Sequence, residues 1–336
     1  MSTGTGIEWT DATWNPIVGC TRVHAGCDHC YAVTMTHRLE RMGQEKYAGL
    51  TVLNKRGERH FNGVVRTVPE ALTIPLKWRK PRRVFVNSMS DLFHKDVPFE
   101  FIDRVMAVMA LCPRHTFQVL TKRPERAAEY FNDETLRIGA GGQLCANVAE
   151  RISAVIAEMG EPYISRAEGA AFPLPNLWLG CSVSDQATAD AAIPHLLRCP
   201  AAVRFVSYEP ALGPVDFGDH LRPSCYDEHG EEYFPKAIDW LIVGGESGPG
   251  ARPFDVAWAR SAIEQCRAAG VACFVKQLGR VVGETNPSGE SVRAWGDTLI
   301  VKSDDGVRYM LKDSHGGDWS EWPEDLRVRE WPEAAS

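Results

Sequence analysis

The chain has 336 residues, of which 44% are hydrophobic and 24% charged, and its formal net charge is −7. This balance excludes a protein that coats nucleic acid through a global basic field, and the length is ordinary for one α/β barrel. No apolar run reaches the roughly 18 residues of a membrane-spanning helix. The first residues lack the basic and apolar regions of a signal peptide, so we expect a cytoplasmic protein.

The predicted elements alternate between strands and helices along the chain. Continuous rather than alternating apolar runs are typical of strands buried on both faces of a parallel sheet. Strand–helix alternation predicts right-handed βαβ units in a full or partial (β/α) barrel over residues 1–279, although a doubly wound open sheet is also compatible. The predicted strands are Pro16–Cys20, Val84–Asn87, Thr116–Leu120, Leu177–Cys181, Val203–Ser207, Trp240–Gly244 and Ala272–Lys276. The predicted helices are Tyr31–Met42, Phe99–Leu111, Asn147–Met159, Asp185–Leu197 and Val256–Ala269.

Three segments interrupt this alternation. Residues 47–68 are polar and contain glycine, which predicts a loop or a small hairpin. Residues 210–236 hold clustered Gly, Pro and charged residues without periodicity, which predicts an insertion. Residues 280–336 are rich in Trp, Gly and Asp, and we expect them to form a small C-terminal extension that packs across one barrel face.

Three of the ten cysteines, Cys20, Cys27 and Cys30, lie within eleven residues, and the other seven are scattered singly. The pattern is not a secreted disulfide framework. Three thiolates suit a [4Fe–4S] cluster and leave its fourth iron open, as chelation by the amino and carboxylate groups of S-adenosylmethionine requires. The alternative is structural zinc on these cysteines with His24 or His29, because Cys₃His is an ordinary zinc set.

Eight stretches spread along the chain carry a resemblance to a known family: WTDATWNPIVGC, GCDHCYA, VFVNSMSDLFH, LTKRPER, WLGCSVSDQ, SYEPALGPV, DWLIVGGESGPGARP and FVKQLG. In these stretches the chain resembles the phage family named for gene products 37 and 68, a group related to the radical S-adenosylmethionine enzymes. The resemblance implies a barrel of that type, a cluster on the three cysteines, a 5′-deoxyadenosyl radical, and a reductant protein such as a flavodoxin or ferredoxin. It also suggests a nucleic-acid base or nucleotide as substrate.

The cysteine spacing departs from the pattern of that superfamily. The usual spacing is Cys-x₃-Cys-x₂-Cys with an aromatic residue directly before the last cysteine. Here the first gap is six residues, and His29 occupies the aromatic position. A Gly-Gly-Glu sequence also occurs in the superfamily after the second strand, whereas here it follows the sixth, so its amine-binding role is not transferred to Glu246.

Polar residues follow the second and third predicted strands, where a barrel carries its active site. We expect Asn87, Ser88, Ser90 and Asp91 to bind the amino or carboxylate group of S-adenosylmethionine, with Asp91 the best partner for an ammonium group. Ser90 or Asp91 could instead cap a helix. The next strand is followed by Lys122 and Arg123, which offer cations to a carboxylate or phosphate. The alternative there is a solvated loop before a helix that begins at Pro124.

Further candidates follow the later strands. Glu209 directly follows an apolar run and could bind ribose hydroxyls or substrate, although a structural ion pair is the alternative. Glu246 and Arg252 lie in a glycine-rich segment that allows close approach of a ligand. Glu209 and Glu246 could equally serve a barrel hydrolase or lyase. Two lower-ranked candidates for the rim of the site are Lys276 and Gln277.

Two features have opposed interpretations. Cys181 ends the fourth strand and could donate a hydrogen atom to a radical, or it could be a small buried hydrophobic residue. Residues 77–83 hold five cations and Trp78, which could grip phosphates and stack on a base, or simply form a solvated helix end. Because this stretch precedes the second strand, we expect it on the barrel face opposite the chemistry.

The sequence therefore predicts a radical S-adenosylmethionine enzyme that modifies an unknown substrate. A different class of protein also fits the same residues: a non-catalytic nucleic-acid-binding protein that is stabilised by zinc or by a structural cluster.

Overall fold

The computed structural model of the protein describes residues 5–133, 137–138, 144–167, 171–223, 225–226, 232–233, 237–284, 299–303 and 306–333. Its centre is a sheet of seven parallel strands whose spatial order follows the chain. The strands are β1 Ala12–Trp14, β2 Arg83–Val86, β3 Thr116–Thr121, β4 Leu177–Val183, β5 Val203–Tyr208, β6 Trp240–Gly244 and β7 Ala272–Gln277. Six of the seven predicted strands are confirmed within a residue or two at each end.

The prediction of the first strand at residues 16–20 is wrong. β1 lies upstream at Ala12–Trp14 and pairs with Val84–Val86 of β2. The apolar residues Ile17–Val18 instead pair antiparallel with Arg66–Thr67 in a separate two-stranded sheet. β1 escaped detection because it is a three-residue edge strand with Thr13 exposed, so it lacks the continuous apolar run of a central strand.

Helices cover the outer face of the sheet and bury its largest apolar core. The five predicted helices are confirmed, and a further helix, Pro124–Phe131, begins with Pro124 at its first position. Side chains of Asn147, Asp185 and Asp255 cap the helices that follow them. The main helices are α1 Tyr31–Arg41, α2 Phe99–Ala110, α3 Pro124–Phe131, α4 Val148–Met159, α5 Gln186–Leu197 and α6 Val256–Ala269. Shorter helices are Pro69–Leu72, Tyr163–Arg166 and Gly218–Leu221, and 3₁₀ turns are Ala25–Cys27, Glu45–Tyr47, Pro75–Lys77, Trp319–Glu321 and Glu324–Leu326.

Contacts of Trp9 show that the sheet is curled. Its ring lies 4.8 Å from Phe85 of β2 and 6.4 Å from Trp240 of β6, measured between ring centroids. In a flat sheet those strands would stand about 19 Å apart, at about 4.8 Å per strand. No pairing between β1 and β7 occurs in the residues described, so the sheet is a partial barrel whose concave face is filled at its N-terminal end by aromatic side chains.

The C-terminal segment covers the open edge at β7. The amide of Val275 donates to Val328 O and that of Glu330 to Cys273 O, and Trp331 stacks on Trp240 at 5.0 Å. Covering an edge strand in this way removes a surface on which other chains could pair. A small sheet joins, in spatial order, Phe254–Asp255, Val282–Glu284, Gly306–Met310 and Leu299–Ser303, so a strand from before residue 279 belongs to it.

Three two-stranded hairpins complete the described structure. The hairpin Thr51–Leu53 with Arg59–Phe61 confirms the prediction for residues 47–68. Arg137–Ile138 pairs with Leu144–Cys145, and within the predicted insertion Cys225–Tyr226 pairs with Glu232–Tyr233. Residues 224, 227–231 and 234–236 of that insertion lie outside the described residues. Among the helices described, none has both the length and the apolarity to cross a membrane.

Candidate functional site

A cavity of about 850 Å³ opens at the C-terminal ends of the parallel strands. Its walls come from the cysteine loop (residues 20–30), the start of α1, the ends of β2 and β3, and the hairpin of residues 51–61. All three clustered cysteines line it: Cys20, Cys27 and Cys30. Active sites of parallel α/β sheets lie at this edge, because polar loop residues from several strands converge there.

The cysteine loop is a compact segment with its own capping contacts. Its turn Ala25–Cys27 is capped by His24, whose Nδ1 accepts the Gly26 amide at 3.1 Å. Cys30 stands at the N-cap position of α1. The three thiols are free and half-buried, whereas Cys112, Cys181, Cys199, Cys266 and Cys273 are free but fully buried. Only the clustered cysteines among these therefore face a cavity.

The cysteine sulfur atoms of this loop are ligands of the kind that an iron–sulfur cluster or zinc prefers. Burial, followed by the charge of Asp91, raises the pKa of Cys20 to about 11, and burial also raises the pKa of Cys30. A metal would have to replace these thiol protons. Within the described part of the chain, no group of three or more His, Cys, Asp or Glu side chains is spaced to hold a metal ion. The ligand types fit an iron–sulfur cluster, but the sulfur atoms are not drawn together as ligands.

Arg123, at the N-terminus of α3, ties β3 to the cysteine loop. Its Nη1 lies 2.9 Å from Asp91 Oδ2 and 3.7 Å from Cys20 Sγ. Its Nη2 donates to the carbonyl and the hydroxyl of Thr21 at 2.9 and 2.7 Å. The Thr21 hydroxyl also contacts His94 Nε2 at 2.8 Å. The guanidinium is therefore engaged by the protein itself, and it fixes the backbone next to Cys20.

Asp91 is saturated with donors from its own chain. One oxygen accepts the Phe93 amide at 3.0 Å and the Thr121 hydroxyl at 2.7 Å. The other accepts the Lys122 amide at 3.0 Å and Arg123 at 2.9 Å. The side chain is almost fully buried. In this arrangement the carboxylate orients the end of β3, and no oxygen is left for a ligand ammonium group without rearrangement.

The residues after β2 line the cavity and hold the segment before Cys20. Asn87 adopts a left-handed backbone (φ 60°), and its side-chain oxygen accepts the Ile17 amide at 3.3 Å. The Oγ of Ser90 donates to Ile17 O at 2.8 Å, and Ser88 Oγ donates to Asn15 at 3.1 Å. Asn87 Nδ2 is buried and lacks a hydrogen-bond partner. The amide of Asn87 is thus the one group of this set with unused donor capacity at the cavity wall.

Lys122 provides a cation on the cavity floor. Its Nζ donates to Ser182 Oγ at 2.8 Å, and that hydroxyl donates to Glu209 O at 3.2 Å. No carboxylate in the described structure forms an ion pair with Lys122. An ammonium group held by a hydroxyl alone remains available to an anionic group of a ligand.

Glu209 forms the ion pair that the sequence offered as its alternative role. Its Oε1 accepts Lys276 Nζ at 2.6 Å and Gln277 Nε2 at 3.3 Å. The side chain reaches from β5 to β7 across Gly244 of β6, where an added Cβ would stand 3.4 Å from Glu209. These three polar residues form one group at the strand ends, and none of them lines the cavity that holds the cysteines.

Glu246 and Arg252 clamp the cysteine loop from β6. Glu246 Oε2 contacts His29 Nδ1 at 3.0 Å and accepts the Arg252 amide at 2.8 Å. The Arg252 guanidinium pairs with Glu246 and donates to Ala25 O at 3.0 Å, with Asp28 at 3.6 Å. Although burial raises it, the Arg252 hydrogen bonds lower the pKa of Glu246 overall. Both predicted ligand contacts are placed to position the loop.

Cys181 lies in the core between the sheet and the helices, not in the cavity. It is completely buried, and burial raises the pKa of its thiol to about 12. This position suits the alternative interpretation of a small buried hydrophobic residue.

The basic stretch of residues 77–83 lies at the N-terminal end of β2, away from the cavity. Arg82 stacks over Trp78 at 5.3 Å. Arg83 pairs with Asp11 at 3.1 Å and lies over Trp331 at 4.2 Å. These contacts hold the protein together, and only Lys77, Arg79 and Lys80 of the stretch are exposed cations.

Several cavity residues were missed from the sequence. Tyr31 follows Cys30 directly, the residue is 53% exposed, and its hydroxyl donates to Ser88 O at 2.7 Å. Its position beside the last cysteine was a usable signal. Arg56, Arg59 and His60 reach the cavity from the hairpin. Nothing local marks them, since only the packing of the hairpin on α1 brings them there.

The chain matches a family described as a protein of unknown function (DUF5131) over residues 4–316. It belongs to that DUF5131 family. No curated protein and no solved structure matches the chain. The DUF5131 match covers the cysteine loop, the partial barrel and most of the C-terminal segment, so cavity and fold lie within the family's shared region.

Proposed function

We propose that this protein is a radical S-adenosylmethionine enzyme that carries a [4Fe–4S] cluster on Cys20, Cys27 and Cys30. The observation that carries the proposal is the exposure of three free cysteines to one cavity at the C-terminal edge of a partial barrel. A reduced cluster bound there would supply one electron to S-adenosylmethionine, whose C–S bond would break to give methionine and a 5′-deoxyadenosyl radical. The protein binds, orients and shields the reacting groups.

The residues around the cysteines support this assignment by their chemistry. The ammonium group of Lys122 donates to a hydroxyl and has no ion-pair partner among the described residues. It can therefore bind the carboxylate of the methionine part of the cofactor. The exposed ring of Tyr31 offers a face on which the adenine can stack. The Nδ2 of Asn87 is a buried donor without a hydrogen-bond partner, and it would reach a ligand oxygen only after a shift of the cavity wall. Each contact recognises a different part of the cofactor.

The substrate and the electron donor are proposed by class. We propose a nucleic-acid base or nucleotide as substrate, and a flavodoxin or ferredoxin as the source of the electron. A reducing cytoplasm suits both an oxygen-sensitive cluster and the free thiols of Cys20, Cys27 and Cys30.

Anaerobic purification and reconstitution test the proposal. We expect a brown protein with about four irons per chain. After reduction with dithionite it should convert S-adenosylmethionine to 5′-deoxyadenosine, measured by liquid chromatography and mass spectrometry. Cys20→Ala, Cys27→Ala and Cys30→Ala should each lose iron and cleavage.

Cys112→Ala and Cys199→Ala are the matched controls, because these thiols are buried away from the cavity. They should keep iron and cleavage. A colourless protein that retains one zinc after anaerobic reconstitution would support the non-catalytic alternative. Activity on a substrate that survives loss of all three clustered cysteines would point to a hydrolase or lyase.

A further inference from the structure

The cavity has an excess of positive charge in a protein that is negative overall. Five cationic side chains line it, Arg22, Arg56, Arg59, Lys122 and Arg123, against three carboxylates, Asp28, Glu58 and Asp91. The chain as a whole has a formal net charge of −7. An anion is therefore attracted locally at this cavity, against the negative charge of the protein as a whole.

Within the described residues, ion pairs occupy two of these cations but neither of the hairpin arginines, although Arg59 attracts the Glu40 carboxylate from a longer distance. Arg22 pairs with Asp28 at 2.5 Å, and Arg123 pairs with Asp91 at 2.9 Å. In the described structure neither Arg56 nor Arg59 forms an ion pair; Arg59 donates to the Thr51 hydroxyl at 3.2 Å. Their guanidinium groups retain most of their donors for a ligand.

The hairpin tip is held in shape by Asn54. Its side-chain oxygen accepts the amides of Arg56 and Glu58, both at 2.9 Å. Its side-chain amide donates to Glu58 Oε2 at 2.8 Å, which occupies that carboxylate. Gly57 supplies the positive φ of 79° that the turn requires. The backbone that carries Arg56 is thus ordered before any ligand arrives, and this lowers the entropic cost of binding.

We propose that Arg56 and Arg59 bind a phosphate group of the substrate, so that the hairpin selects phosphate-bearing substrates for the cavity. Arginine forks match phosphate oxygens in pairs of hydrogen bonds. Lys122, on the floor at the end of β3, stays available for the cofactor carboxylate. The inference rests on the proposed function in treating the cavity as the active site, and it narrows the substrate to nucleotides or nucleic acids.

Binding measurements on the anaerobically purified protein test this assignment. The probes are the four deoxynucleoside monophosphates, a mixed-sequence single-stranded DNA of twelve nucleotides, and inorganic phosphate as competitor. We expect Arg56→Ala/Arg59→Ala to weaken binding of the phosphate-bearing probe at least tenfold. For single-stranded DNA the slope of log affinity against log salt should fall by about 1.4, or about 0.7 for each lost contact.

Arg79→Ala/Lys80→Ala is the matched control, because it removes two exposed cations from the opposite end of the sheet. It should bind the probes within about twofold of the wild type. Tight binding of the monophosphates would identify free nucleotides as the phosphate source, and binding of the oligonucleotide alone would identify nucleic acid. Equal losses in both double variants, or no binding of any probe, would overturn the proposal.

The test is separable from that of the proposed function. Cleavage of S-adenosylmethionine is measured on the wild type without substrate. If cleavage fails while the hairpin variant still loses phosphate binding, the radical chemistry is refuted and the phosphate site stands. If cleavage succeeds and the hairpin variant binds normally, the phosphate site alone is refuted.

Discussion

Arg123 and Cys20 are 103 residues apart in sequence but lie in contact, with Nη1 of the guanidinium 3.7 Å from Sγ. The same guanidinium also donates to the carbonyl of Thr21. The guanidinium thereby links the cysteine loop to β3, and its ion pair with Asp91 is almost fully buried. The loop is consequently tied to the core of the barrel in addition to the contacts within its own short turn.

Removing Arg123 should destabilise the fold. Arg123→Met leaves the Asp91 carboxylate buried without its cation, which costs about 3–5 kcal/mol. Asp91→Asn/Arg123→Met should be less destabilised than Arg123→Met alone, since no unpaired charge remains. Arg104→Ala breaks the exposed pair with Glu158 and should cost less than about 1 kcal/mol. Urea unfolding measures all three, and an Arg123→Met loss no larger than that of Arg104→Ala would contradict the expectation.

Glu246 and Arg252 hold the other side of the cysteine loop, so loss of Arg252 should loosen that loop locally. Arg252→Ala removes the donor to Ala25 O and the partner of Glu246. A hydrogen bond from a charged group contributes about 1.5–3 kcal/mol, so amides of residues 25–28 should exchange roughly tenfold faster or more. Arg260→Ala breaks comparable pairs with Glu284 and Asp325 away from the loop and should leave those amides unchanged. Unaltered exchange in Arg252→Ala would show that the loop holds itself.

Continuous apolar runs identified strands β2 to β7, because a parallel strand covered on both faces is buried at most of its positions. β4 is buried at all seven residues and was easy to recognise. β1 was missed because it lies at an edge, and the more buried Ile17 and Val18 attracted the assignment instead. Periodicity detects burial but does not reveal which sheet buries a residue.

The residues of the candidate site also fall into two groups, those that a local sequence signal identifies and those that only tertiary contacts bring to the site. The cysteines, Lys122 and Arg123 were found because their residue types and strand-end positions carry the signal. The roles of Glu246 and Arg252 in holding the cysteine loop depend on contacts more than 200 residues apart in sequence, such as Arg252 with Ala25. The hairpin arginines lie much nearer to the cysteines in sequence, and they were missed because only the packing of the hairpin on α1 brings them to the cavity.

Position 180 in β4, at the middle of the concave face, has room only for glycine. An added Cβ would stand 2.5 Å from the Phe205 ring on β5. Gly180→Ala should therefore cost about 1–3 kcal/mol through overpacking. The double variant Gly180→Ala/Phe205→Leu should recover part of that loss. Gly248→Ala, where nothing lies within 4 Å of the new Cβ, is the control and should be near neutral in thermal melting. A neutral Gly180→Ala would mean that the ring moves freely.

His94 should make the fold sensitive to acid. Burial, followed by the positive charge of Arg123, lowers the pKa of this imidazole, which is fully buried. Its Nδ1 accepts the Asp96 amide at 3.2 Å, so Nε2 carries the proton and donates to Thr21. In the unfolded chain this imidazole binds a proton below about pH 6.5, whereas in the folded chain its lowered pKa keeps it neutral to a lower pH. The free energy of unfolding should therefore be independent of this group above about pH 6.5 and should fall as the pH decreases below that value.

The pH dependence of a His94 variant tests this sign. His94→Gln keeps a side-chain amide that can donate to Thr21 but removes the titrating group, so we expect lower stability at about pH 8 and a shallower decline towards about pH 5 than in the wild type. His60→Gln, which removes an exposed imidazole, should follow the wild-type slope. Urea midpoints across this range supply the measurement. A decline in His94→Gln as steep as in the wild type would assign the acid sensitivity to other groups, and would leave the contact between His94 and Thr21 with a purely structural role.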